Sequence, residues 1–173
     1  MTMFEKKRHV RIAAESWVED PEDAHVDVVV TFPDATTWIA DFYTYKCIES
    51  IREDHKVKGH GLNGAYWAAS KVVLVDRVTR ERIEQIVDEL IEKGTFSYAF
   101  EYLGAVNEHA LQTYGYPADF FDENAKMDPS YVKWFAANLV QMLEQTDHET
   151  RTAVLKEFLD IFGEKERNQR GDL

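Results

Sequence analysis

HVDVVVTFPDATTWIADFYT, residues 25–44, is the stretch on which the fold turns. Val26, Val28, Val30 and Phe32 recur at period two, and so do Trp38, Ala40 and Phe42. Alternation of this kind places one apolar face on each of two strands, His25–Phe32 and Thr36–Phe42. Pro33-Asp34 joins them with good turn chemistry, because proline pre-sets φ and aspartate can bond the backbone beyond it. Ala35 stands where such a hairpin usually wants glycine with positive φ, which predicts a small strain or a different loop geometry.

Working outward, Thr44 is placed to cap a helix from Tyr45 to Lys56 with Cys47, Ile48 and Ile51 on its apolar stripe. GHGLNG follows at 59–64. Gly61, Asn63 and Gly64 can supply positive φ for a loop that turns the chain into a strand at Tyr66. Ala65–Ala69 and Lys71–Asp76 read as strand material. Val72–Val75 does not alternate, so this strand is expected to be covered on both faces. Thr79 caps a second helix, Arg80–Lys93, whose stripe is Ile83, Ile86, Val87, Leu90 and Ile91, with Gly94 as its stop.

Beyond Gly94 the pattern reads as helical. Ser97–Tyr114 is a helix weakened by Gly104 and ended by Gly115-Tyr116-Pro117. Asp128-Pro129 is a start signal for a helix to Glu144, apolar almost all round and so expected near the centre. Thr146-Asp147-His148-Glu149 fits a capping box for a last helix carrying Val154, Leu155, Phe158, Leu159 and Phe162. After Gly163 the tail EKERNQRGDL is polar and expected to be disordered. The predicted class is α+β: a small, mostly antiparallel sheet of three or four strands with two helices packed on it (residues 1–94). A C-terminal bundle of about three helices (residues 95–163) packs on it as one compact unit.

With 45% hydrophobic and 13% aromatic residues, the chain has ample core material and cannot be disordered as a whole. No apolar run approaches the ~20 residues that span a bilayer, and MTMFEKKRHVR lacks the pattern of a signal peptide. A single cysteine, Cys47, excludes an internal disulfide, fits the cytoplasm and reads as a small buried hydrophobe. The net charge of −12 works against nucleic acid and anionic membranes and suits a basic protein partner, or solubility alone.

Signals for chemistry are sparse. The glycines of 59–64 precede a strand rather than a helix and lack Gly-Lys-Ser/Thr, so a phosphate loop does not fit. They leave either a turn or a binding loop presenting His60, Asn63, Tyr66 and Trp67. No HExxH, Cys-pair or Gly-x-Ser-x-Gly motif occurs, and no metal, cofactor or catalytic set is assigned. The richest surface candidate is the aromatic and acidic stretch from Tyr98 to Asp128. Its Tyr114, Tyr116, Asp119, Phe121, Asp122 and Glu123 could meet a basic protein through rigid aromatic area and opposite charge. The same Phe120-Phe121 pair also reads as a hydrophobic plug under a charged loop.

VVVTFPDATTWIADFYTY with GLNGAYWAASKVVLVD resembles a pattern of small, uncharacterised bacterial proteins, over residues 28–92. The resemblance implies a bacterial origin and a compact α+β half, and it assigns no reaction. In size, acidity and lack of catalytic signature the chain is also similar to immunity proteins of bacterial toxin systems. The expectation is therefore a non-enzymatic cytoplasmic binding protein with a basic partner. The alternative is a small-molecule-binding protein or enzyme with a pocket under the 59–67 loop. A third reading buries the aromatic surplus between copies in a homo-oligomer.

Overall fold

The computed structural model describes residues 7–127 and 129–170, with side chains for all of these but 130, 131 and 161–170. The chain is α+β and divides into two compact units, Met1–Lys126 and Met127–Leu173. The first unit is built on a five-stranded sheet. Its strands are β1 (His9–Ile12), β2 (His25–Thr31), β3 (Thr36–Thr44), β4 (Val72–Val75) and β5 (Glu101–Ala105).

The 25–44 hairpin forms as the sequence predicts, with Val26 opposite Phe42, Val28 opposite Ala40 and Val30 opposite Trp38. These six side chains are buried, and β1 adds Val10 and Ile12 opposite Val30 and Val28 on the same face. Ala35 takes the left-handed conformation anticipated for its position, at φ 62°. Asp34 Oδ1 holds the turn by accepting from both the Thr36 backbone N–H and the Thr36 hydroxyl.

The far edge of β3 is shared between two strands. Asp41–Thr44 pairs in parallel with β4, and Thr36–Ile39 pairs antiparallel with β5. The sheet is thus mostly antiparallel, with one parallel pair. That pair needs a long crossover, and helix α1 (Tyr45–Lys58) supplies most of it.

Helix α2 (Arg80–Glu92) buries Ile83 and Val87, and Thr79 accepts from the Arg82 N–H as its cap. It is tied to β1 by Arg80, which donates to the Val10 carbonyl at 3.3 Å, and by an Arg8–Asp88 ion pair at 2.8 Å. Phe96 and Phe100 stack at 4.3 Å and complete the core against Trp38 and Phe42.

Three segments differ from the sequence expectation. Residues 97–114 do not form one helix: a single turn, Phe96–Ala99, leads into β5, and a short helix, α3 (Glu108–Thr113), follows. The open edge of β3 recruits residues 101–105 as a strand, which helix propensity alone cannot foresee. Gly104, read as a helix weakness, adopts φ 105° where the β3–β5 register slips. This strand also carries the first unit to Lys126 rather than residue 94.

Residues 65–69 form no strand, and β4 is an edge strand with Leu74 46% exposed, not a doubly covered one. Finally, the second unit contains two long helices, α4 (Pro129–Glu144) and α5 (His148–Arg170), the latter running on past Gly163. The expected cap Asp128 lies outside the described residues. Far from being central, α4 exposes Val132, Phe135 and Met142.

Thr44 closes β3 and opens α1. Its fully buried hydroxyl accepts from the Cys47 N–H at 3.1 Å as the helix cap and from the Ala24 N–H at 3.1 Å. Thr44→Ala removes both bonds and is expected to cost about 2 kcal/mol, at the upper end for a helix cap. Thr44→Ser keeps the oxygen and should cost less than half of that, as read by denaturant unfolding of the two variants.

Candidate functional site

The apolar side chains of β2 and β3 face the core, so the residues between them fall on the opposite face of the sheet. Along that face the opposed pairs are Thr31–Thr37, Val29–Ile39, Asp27–Asp41 and His25–Tyr43. One end is covered by the 114–121 segment. The Tyr116 ring lies 4.6 Å from His9, and its hydroxyl shares a 3.1 Å hydrogen bond with Thr31. Phe120 is buried beneath it, and Phe121 packs on both rings at 5.0 Å. The Arg11 guanidinium lies 4.1 Å from the Tyr114 ring centroid.

At the other end three aromatic rings form a row. His25 stacks on Tyr43 at 4.9 Å and 8°, and Trp67 meets Tyr43 in an edge contact at 4.9 Å and 63°. Beside this row stand Asp27 and Asp41, directly opposite each other across the antiparallel pair. Like charges so placed destabilise a sheet. Burial, and then the neighbouring Asp27 carboxylate, push the Asp41 carboxyl above its ordinary range, and Glu101 adds to the effect. Several other carboxylates of this unit are matched: Asp20 and Asp23 by Lys46, Glu15 and Glu84 by Arg80, Asp76 by Arg82. Asp27, Asp41 and Glu101 enter no ion pair among the described residues.

The 59–64 stretch proves to be a tight left-handed turn. Gly61, Leu62, Asn63 and Gly64 all have positive φ, between 52° and 75°. Two of its glycines are required by space as well as by angle. A Cβ on Gly61 would meet the Tyr66 carbonyl oxygen at 2.4 Å, and one on Gly64 the Arg52 carbonyl oxygen at 2.6 Å. The turn therefore docks on the end of α1 and on the chain just beyond it. His60, Asn63 and Tyr66 stand exposed, and of the four loop candidates Trp67 is the one that reaches the sheet.

The second group of candidates is split by the fold. Tyr114, Tyr116 and Phe121 are all half-buried, with the Tyr116 hydroxyl engaged by Thr31, and Asp119, Asp122 and Glu123 stay at the surface. Asp122 is anchored through its backbone N–H to the Pro33 carbonyl at 2.9 Å, and Asp119 lies 3.9 Å from Lys7. The plug reading of Phe120 thus holds, and the full aromatic–acidic patch does not form as one exposed surface.

Sequence reasoning missed Asp27 and Asp41. Their signal was present in the alternation itself: HVDVV and IADFY each place an acid on the face that the valines and Phe42 leave. A shallow cleft of about 430 Å³ lies nearby, lined by Trp17, Asp20, Asp23 and His25 among others. Among the described residues no three His, Cys, Asp or Glu side chains gather as a metal set. Cys47 is buried, which with nearby Asp23 raises its thiol above the usual range and leaves it a poor nucleophile.

The plug carries a pH dependence. Burial, then the Arg80 and Arg11 charges, hold the His9 imidazole below its ordinary 6.5. The folded state therefore binds His9's proton less readily than the unfolded chain does. The associated stability is present above the unfolded value and is lost as pH falls through it toward the folded one. Thermal melts from about pH 8 down to about pH 5 should show a falling midpoint that His9→Gln flattens.

No family model, curated protein or solved structure matches the chain.

Proposed function

We propose that the chain is a non-enzymatic binding protein whose open sheet face receives a basic segment of a protein partner. The observation that carries this reading is the pair of opposed carboxylates, Asp27 and Asp41, beside the His25–Tyr43–Trp67 row. Carboxylates and aromatic faces together are the surroundings that a lysine or arginine side chain prefers. The pair costs the fold stability while it is empty, and a docked cation offsets that cost. The net charge of −12 acts at longer range by steering a basic partner toward the surface. Asp119, Asp122 and Glu123 contribute to that field rather than to an aromatic hot spot.

The partner class that fits is a basic protein such as a toxin or nuclease, with this chain acting in the manner of an immunity protein in a bacterial cytoplasm. No helix among the described residues is long and apolar enough to cross a membrane. A small-molecule pocket roofed by residues 59–67 has less to rest on, since His60, Asn63 and Tyr66 are exposed.

Two measurements test the reading. Asp41 has a raised folded pKa, so its stability contribution is present at low pH and is lost as pH rises through that pKa. Asp41→Asn should therefore stabilise the protein at neutral pH by about 0.5 kcal/mol. The gain should vanish in acid where the wild-type carboxyl is protonated, and a destabilised variant would refute the like-charge account.

For function, tagged protein is used to capture partners from lysate at low salt and at ~0.5 M salt, where screening removes much of a surface attraction. A basic protein held at low salt, released at high salt and lost on the Asp27→Asn/Asp41→Asn double substitution is expected. An empty eluate, or capture indifferent to both substitutions, would sink the proposal.

A further inference from the structure

The second unit presents a different surface. Among its described residues not one side chain is buried. Helices that leave their apolar side chains exposed gain little stability alone, because most helical stability comes from packing an apolar face. Here that face is large. On α4, Val132, Phe135, Leu139 and Met142 recur at three- and four-residue spacing, which sets them along one side of the helix. On α5, Leu155 and Leu159 stand one turn apart. Arg151 fixes the junction between the helices by donating to the carbonyls of Leu143, Glu144 and Thr146 at 2.8 to 3.1 Å.

We infer that this face is the interface between two copies of the chain. Two properties select a second copy over the basic partner assigned to the sheet. The first is charge. The chain carries −12 in total, yet residues 129–160 hold only three basic and five acidic side chains, and 129–144 only Lys133 and Glu144. A basic protein finds little to grip there, and repulsion between identical acidic chains is weakest at that place. The second is area. Val132, Phe135 and Met142 on α4, and Leu155 and Leu159 on α5, are between 47 and 72% exposed. With side chains of this size that leaves roughly 500 Å² of apolar surface per copy, and two copies together reach about 1,000 Å², the area that a specific interface has to clear. Two α4–α5 pairs brought face to face give four helices around a shared core, the smallest helical arrangement that buries such faces on both sides.

The test is the mass of the full chain in solution, by light scattering on a sizing column at low and high micromolar concentration. Twice the monomer mass is expected at the higher concentration. It should persist in ~0.5 M salt, because apolar contact is not screened as the sheet-face attraction is. Phe135→Glu and Met142→Glu should each weaken the dimer on the order of 100-fold or more. Val57→Glu, at an exposed apolar position on α1, should leave the dimer intact. A wild-type monomer at high concentration overturns the inference, whatever the variants do. So does a dimer that Phe135→Glu leaves unchanged. A monomer whose melting midpoint falls on Phe135→Glu would show instead that the face is covered within one chain.

Discussion

The first unit depends on β3 having both edges occupied. Thr36–Thr44 is the longest strand of the sheet, and it bonds β2 along one side and β4 and β5 along the other. Each neighbour brings part of the core with it. β2 brings the valines, β4 brings Val75, and β5 follows directly on the Phe96–Phe100 stack. Thr44 then converts the end of the strand into the start of α1 with a single hydroxyl. An unpaired edge on so central a strand would leave a row of buried backbone groups without partners, which folded chains do not tolerate.

The same strand creates the site. Because side chains alternate across a sheet, a strand that buries Trp38, Ala40 and Phe42 must place Ile39, Asp41 and Tyr43 on the other side. The 114–121 plug and Trp67 cover the two ends of that side, and the acids fall between them. Where most charges of this unit are paired locally, two opposed carboxylates are a departure from what stability alone would select. Such departures are where function is to be sought.

Electrostatics and apolar burial thus act at separate places. The acidic excess belongs mainly to the first unit, and the helix pair Pro129–Arg170 is nearly neutral over its described side chains and rich in exposed apolar area. A basic partner and a second copy would each find the surface suited to it, and neither surface serves the other purpose well.

Local chemistry was legible in the sequence. The 25–44 hairpin, the strain at Ala35, the caps at Thr44 and Thr79, the buried Cys47 and the Phe120 plug all follow from spacing or from side-chain type. So does the positive φ of the 59–64 turn, although the strand read after it is not there. What only the tertiary structure decided was pairing between distant segments. Residues 101–105 carry no mark that distinguishes a helix from a strand until the free edge of β3 stands beside them. Asp27 and Asp41 are ordinary surface acids until register sets them opposite each other. The reason is physical: caps, turns and periodicity act within a few residues, whereas strand order, register and the meeting of like charges are set by which edges and faces remain to be covered.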